Sequence, residues 1–80
     1  MVDDELKIII IEECAELVQA ITKTLRFGET EENLERVRQE AADVKVMIKL
    51  LEGVLGDLRT YEESKKEKLQ IWSELKTRFL

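Results

Sequence analysis

Histidine and proline are absent from this 80-residue chain, and cysteine, glycine and aromatic residues are scarce. Without histidine, and with Cys14 as the single cysteine, the chain can form neither a Cys/His zinc site nor an internal disulfide. A di-iron site of the ferritin type is excluded for the same reason, because it needs a Glu-x-x-His motif. The lack of proline and the presence of only three glycines leave room for long uninterrupted helices.

Long apolar runs are also missing. The longest, Ile8–Ile11, is far too short to cross a membrane. Acidic residues at Asp3, Asp4 and Glu5 stand where a signal peptide needs basic ones. The net charge of −5 argues against non-specific nucleic-acid binding, which requires a basic surface. We therefore expect a cytoplasmic protein with neither a nucleic-acid nor a membrane partner.

Charged and aliphatic residues are abundant, at 39% charged and 44% hydrophobic, a composition typical of amphipathic helices. Capping residues and glycines predict three helices, over about 3–27, 30–55 and 58–79. Thr30 is the expected N-cap of the second helix. The third is opened either by Asp57 or by a capping box that begins at Thr60. Because the connecting turns are short, we expect an all-α antiparallel bundle.

The first helix carries apolar residues around most of its circumference, more than one neighbouring helix can cover. Cys14 belongs to this surface and is expected to be a small buried hydrophobic side chain. A chain this short buries only roughly 60% of its unfolded surface on its own. We therefore expect homo-oligomerisation to complete the bundle, as a homodimer or as a tetramer made of two dimers.

The first and second helices each place a pair of acids, spaced i and i+3, on a side that ought to be buried. On a wheel of about 100° per residue, Glu13 and Glu16 lie within an apolar arc, and so do Glu40 and Asp43. Counted from the turn, Glu16 and Glu40 are each about 12 residues away, and Glu13 and Asp43 about 15. The two pairs are therefore predicted to stand at the same height on antiparallel helices.

Four carboxylates in an apolar channel require a cation, because an unpaired buried charge is very costly and like charges raise one another's pKa. Oxygen ligands suit hard divalent cations, so we hypothesise that these four acids bind Mg²⁺, with Mn²⁺ as a substitute. The alternative is a non-enzymatic helical oligomerisation module in which the acids form salt bridges. On the wheel, Lys23 lies near Glu16 and Arg36 lies near Glu40, which would allow such pairs.

The same acids resemble the signature of a known family. The segments EECAE at 12–16 and EAAD at 40–43 are similar to the E-E-x-x-E and E-x-x-D motifs of the MazG-like all-α nucleoside triphosphate pyrophosphohydrolases. The resemblance extends roughly over residues 5–58 and is looser in the third helix. Residues 1–80 look like a single MazG-like domain of a short form, without the separate N-terminal helix that family members commonly carry.

The resemblance implies Mg²⁺-dependent hydrolysis of a nucleoside triphosphate, often a deoxynucleotide or a modified one, to the monophosphate and pyrophosphate. At the matching positions, Glu13, Glu16, Glu40 and Asp43 would hold the metal that binds the phosphate chain. Glu12 would be an additional ligand or a base that orients the attacking water. Its alternative role is that of an ordinary solvated acid.

The third helix offers candidate substrate-binding residues. Lys65 and Lys68 lie on its apolar arc, within about 40° of Trp72. These lysines could reach the triphosphate while Tyr61 or Trp72 stacks on the base. Alternatively, the lysine stems lie along the bundle and their charged heads stay in water. No residue identifies the nucleotide.

Overall fold

In a computed structural model, which describes the backbone of residues 3–79 and the side chains of residues 3–70, the chain forms three α-helices and no strand. They are α1 (Asp4–Phe27), α2 (Glu31–Leu55) and α3 (Arg59–Phe79). The all-α prediction is confirmed, and each helix begins one residue later than predicted and ends where predicted. Within the described residues, none of these helices is both long and apolar enough to span a bilayer.

Side-chain caps explain where α1 and α2 begin. The Asp3 carboxylate accepts a hydrogen bond from the Leu6 amide at 2.8 Å. The Thr30 hydroxyl accepts one from the Asn33 amide at 3.1 Å, as predicted for an N-cap. Each bond satisfies an amide that has no partner within its own helix, so the helix starts are set by local sequence.

The two connections between helices are tight turns. Gly28 and Gly56 adopt φ values of +95° and +93°, which residues with a side chain rarely adopt, and so end α1 and α2. The Asn33 side-chain amide donates to the Gly28 carbonyl at 3.0 Å and closes the first turn. At the second, Asp57 accepts from the Arg59 amide at 2.9 Å, so the Asp57 opening of α3 is the one observed.

The first two helices pack as an antiparallel hairpin along a seam spaced alternately three and four residues apart, the spacing of paired helices. The partly or fully buried residues of this seam on α1 are Leu6, Ile10, Glu13, Leu17, Ala20 and Thr24. On α2 they include Val37, Glu40, Val44, Met47 and Leu51. Among the described side chains only Ala20 and Glu40 are buried, at 3% and 6% exposure. A carboxylate therefore occupies a seam position that normally takes an apolar residue.

Much apolar surface remains uncovered. Within residues 3–79, α3 contacts neither α1 nor α2, so closure of the predicted bundle stays a prediction. The radius of gyration is 15.6 Å, whereas about 12 Å is expected for a compact domain of this length. On α1, Ile11, Val18 and Leu25 recur every seven residues and are 66%, 63% and 83% exposed. The prediction that Cys14 is buried is wrong for the single chain, because this residue is exposed beside the same stripe.

Candidate metal centre

The hairpin brings together three of the four predicted ligands: Glu13, Glu40 and Asp43 each place a carboxylate oxygen within 4.8 Å of the others. We call these three residues the acid cluster. The fourth, Glu16, lies against Glu40, while Glu13 lies against Asp43. The predicted register of the two helices is therefore confirmed.

The acid cluster is buried on one side and open on the other. Glu40 is 6% exposed and Glu13 is partly buried. Asp43 and Glu16 are exposed. Residues spaced i and i+3 are neighbours on one helix face. Each helix therefore places one accessible carboxylate, Glu16 or Asp43, beside a less exposed one, Glu13 or Glu40.

Two oxygens of this group are buried without a hydrogen-bond partner: Glu13 Oε2 and Glu40 Oε2. Nearly all buried polar atoms in proteins are satisfied by a donor, because a buried carboxylate oxygen without one is costly. The charged groups that act on Glu13 are the carboxylates of Asp43, Glu40 and Glu12, and those that act on Glu40 are Glu16, Arg36 and Asp43. Both atoms belong to residues of the acid cluster, and together with Asp43 they form a donor set that could hold a metal ion.

Burial and the neighbouring carboxylates change the acidity of Glu13 and Glu40. Burial raises the pKa of Glu13 above its ordinary value of 4.5, and the nearby carboxylates of Asp43 and Glu40 raise it further. Burial also raises the pKa of Glu40, as does the close approach of Glu16, while Arg36 opposes the rise. Both acids therefore take up protons more readily in the folded chain than in the unfolded one.

We expect the metal-free protein to lose stability as the pH rises above the ordinary carboxyl pKa. Between that pKa and the raised values of Glu13 and Glu40, the folded chain binds more protons than the unfolded one. The free energy of unfolding therefore falls through this window, and the loss is complete above the raised values. With chelator present, the melting temperature of the wild-type protein should be higher at about pH 5 than at about pH 8.

The Glu13→Gln, Glu40→Gln double variant should show a smaller difference between these two pH values, because both perturbed groups are gone. A wild-type melting temperature that increases toward the higher pH would contradict the raised pKa values of Glu13 and Glu40.

One basic side chain reaches the cluster. Arg36 Nε lies 2.9 Å from Glu40 Oε1, a pair that the salt-bridge alternative predicted. That alternative also expected Lys23 to pair with Glu16, but Lys23 forms no ion pair among the side chains of residues 3–70. Among the side chains of residues 3–70, Arg36, which is 57% exposed, is therefore the one basic group that forms an ion pair with any of the four acids.

A cavity of about 350 Å³ lies between α1 and α2, on the side of the acid cluster nearer the first turn. Helix α1 lines it with Ala20 and Lys23, and α2 adds Arg36. The remaining lining residues, all from α2, are Glu32, Asn33, Glu35 and Gln39. Sequence periodicity did not predict this cavity. Its lining combines the small side chain of Ala20 with long polar ones.

Glu12 lies beside the acid cluster rather than within it. Its side chain is exposed. Burial is the main cause of the raised pKa of Glu13, and the charge of Glu12 is among the smaller ones. The catalytic role of Glu12 stays a prediction.

The candidate substrate-binding residues of α3 do not meet the acids within one chain, because α3 contacts neither hairpin helix in the described part. Tyr61 is 74% exposed, and Lys65 and Lys68 are also exposed. Trp72 lies outside the residues whose side chains are described. A substrate role for these residues stays a prediction.

Comparison with models of known families, with characterised proteins and with solved structures gives no match to this chain. What the fold and the site define is an all-α protein whose helical hairpin carries a partly buried carboxylate cluster. The relationship to MazG-like enzymes stays a hypothesis based on the two acidic motifs.

Proposed function

We propose that this protein is a Mg²⁺-dependent nucleoside triphosphate pyrophosphohydrolase. It would hydrolyse a ribo- or deoxynucleoside triphosphate, standard or modified, to the monophosphate and pyrophosphate, as the resemblance to MazG-like enzymes implies. The observation that supports this most strongly is the pair of buried oxygens, Glu13 Oε2 and Glu40 Oε2, that have no partner in a cluster of carboxylates.

The donor set suits a hard divalent cation. All its atoms are carboxylate oxygens, and the open side leaves room for water and phosphate oxygens, which Mg²⁺ normally retains. Glu13, Glu16, Glu40 and Asp43 would hold Mg²⁺, or Mn²⁺ in its place. A bound cation would supply charge neutralisation for phosphoryl oxygens and increase the acidity of coordinated water.

The remaining roles in the proposed hydrolysis belong to side chains of the hairpin. The oxygen of a water molecule bonds to the α-phosphorus as the bond from that phosphorus to the oxygen bridging to the β-phosphate breaks, which releases pyrophosphate. Glu12 would orient this water or accept its proton. The hairpin holds the buried Glu40 and the partly buried Glu13, and the exposed Asp43 would face the entering phosphate chain.

We also propose that the functional unit is a homodimer, or a tetramer of two dimers. The stripe of Ile11, Val18 and Leu25 has the seven-residue repeat of a helix-pairing surface and is more than half exposed. A second copy packed on it would bury this stripe and add helices to the open hairpin. The α3 helix of either copy could then bring Lys65 and Lys68 to the phosphate chain.

The ion pair of Arg36 with Glu40 favours a second candidate function, a non-enzymatic oligomerisation module whose acids serve salt bridges. This interpretation accounts for one of the four acids. It leaves the unpartnered oxygen of Glu13 unexplained. The two functions make opposite predictions for the stability of Glu40 variants.

Thermal melts with Mg²⁺ and with chelator test the proposal. A cation at about 100 times its dissociation constant should raise the wild-type melting temperature by about 10 °C or more. Glu40→Gln should abolish that shift and melt above the metal-free wild type, because a repelling carboxylate is gone. The oligomerisation module predicts no Mg²⁺ shift and a lower melting temperature for Glu40→Gln, which leaves Arg36 unpaired.

The control is Glu63→Gln, which removes an acid paired with Lys66 at 3.3 Å on α3 and should keep the Mg²⁺ shift. If neither Mg²⁺ nor Mn²⁺ moves the wild-type melt, the metal site and the proposed activity are both rejected.

A further inference from the structure

Arg36 contacts the acid cluster and also lines the neighbouring cavity. Its Nε contacts Glu40 Oε1 at 2.9 Å, and its side chain also lines the cavity between α1 and α2. Glu40 is almost completely buried, whereas the Arg36 side chain is 57% exposed. The arginine can therefore reorient at little cost, while the carboxylate cannot.

A divalent cation and Arg36 would compete for the same carboxylate. Arg36 is the basic side chain that contacts the acids in the described residues. A cation held by Glu40 and its neighbours would satisfy the charge that now attracts the guanidinium, and it would repel Arg36 directly. Arg36 already lines the cavity, so a displaced guanidinium has access to it.

The charges around the cavity show what a displaced Arg36 would change. Arg38 lies 3.0 Å from Glu35 but also 2.8 Å from Glu31, so it offsets only part of the charge of Glu35. Lys23 and Glu32 carry opposite charges, which offset one another in the lining. While Arg36 is paired with Glu40, the lining is therefore slightly negative, and the release of Arg36 brings it close to neutral, with Arg36 and Lys23 as its two basic groups.

The position and size of the cavity suit a phosphate oxyanion. Ala20 lies four residues from Glu16, about 6 Å along α1, which is within reach of a phosphate chain that starts at the acid cluster. A volume of about 350 Å³ admits a diphosphate with its waters. Guanidinium and ammonium groups are the side chains that bind such oxygens most strongly.

We propose that Arg36 is the internal counter-ion of Glu40 in the metal-free chain and that a cation at the acid cluster releases it into the cavity, where Arg36 and Lys23 bind the outer phosphates of the substrate. Binding of the cation and of the anion is thereby coupled through one side chain. This inference rests on the proposed function for its cation and for the identity of its anion.

Calorimetric titration with Mg²⁺ alone tests the competition. Arg36→Gln should bind Mg²⁺ about fivefold more tightly than wild type or better, because the competing cation is gone. Arg36→Lys keeps the charge and should return toward the wild-type affinity. Arg38→Gln is the matched control, since Arg38 lies on the same helix but pairs with Glu31 and Glu35, and it should leave the Mg²⁺ affinity unchanged.

Titration of the Mg²⁺-saturated protein with magnesium pyrophosphate tests the anion site. Lys23→Gln and Arg36→Gln should each weaken pyrophosphate binding about tenfold, while Arg38→Gln should not. Unchanged pyrophosphate affinity in Lys23→Gln overturns the anion site. If the wild type binds Mg²⁺ and Arg36→Gln binds it with equal or lower affinity, the competition between Arg36 and the cation is overturned, but the proposed function is not. A wild type that binds no Mg²⁺ overturns both this inference and the proposed function.

Discussion

Replacing Asp43 with asparagine should reduce pyrophosphate release from a susceptible deoxynucleoside triphosphate by roughly 10² to 10⁴-fold while leaving the helices intact. Asp43 is the exposed member of the acid cluster, so its loss removes one metal ligand without opening a cavity in the hairpin seam. An amide also lacks the charge needed to hold a divalent cation beside two other carboxylates. The measurement is pyrophosphate release in the presence of Mg²⁺, over a panel of standard and modified nucleotides.

Asp4→Asn is the matched control for this substitution. Asp4 lies in the first turn of α1, and its carboxylate forms a surface pair with Lys7 at 3.5 Å, so the same chemical change occurs far from the acids. We expect this variant to keep its activity and its helical circular dichroism. Full activity in Asp43→Asn, on a nucleotide that the wild type hydrolyses, would remove Asp43 from the site.

Replacing Val18 with glutamate should convert the proposed oligomer into single chains. Val18 lies in the middle of the exposed stripe between Ile11 and Leu25, where a partner helix would bury it. An unpaired carboxylate in such an interface costs several kcal/mol, enough to raise the dissociation constant by about a hundredfold or more. Sedimentation equilibrium over a range of protein concentrations measures this constant directly.

Gln19→Glu, one residue further along α1, is the control for the effect of adding a negative charge to this helix. Position 19 is exposed and lies about 100° around the helix from Val18, so the added charge should leave association unchanged. If Val18→Glu sediments with the mass of the wild-type oligomer, the stripe is not the interface. A wild type that remains a single chain at high concentration would reject the oligomer.

Local signals made the helices and the register of the acids predictable. The caps at Asp3 and Thr30 and the turn at Gly28 act within a few residues, so they set the ends of α1 and α2 without help from the rest of the fold. Once the turn is placed, the constant rise of a helix determines which residues of α2 stand opposite each residue of α1. The pairing of Glu13 with Asp43 follows from these two facts.

The features that depend on side-chain size or on a partner were not predictable in this way. An apolar stripe reveals that a surface is to be covered but does not say by what, which is why the burial of Cys14 was predicted wrongly for the single chain. The same limit applies to the predicted contact of α3 with the hairpin. The cavity is lined by the small Ala20 together with long side chains of α2, a combination that periodicity along one helix does not record.

The turn closed by the bond from Asn33 to the Gly28 carbonyl also decides how the hairpin can respond to its own charge. A turn of this length prevents one helix from sliding along the other, so repulsion between the facing carboxylates cannot be relieved by a change of register. The remaining movement is lateral, with the helices separating most at the ends far from residue 28. A bound cation would then act as a spacer that sets the distance between two helices whose alignment the turn has already determined.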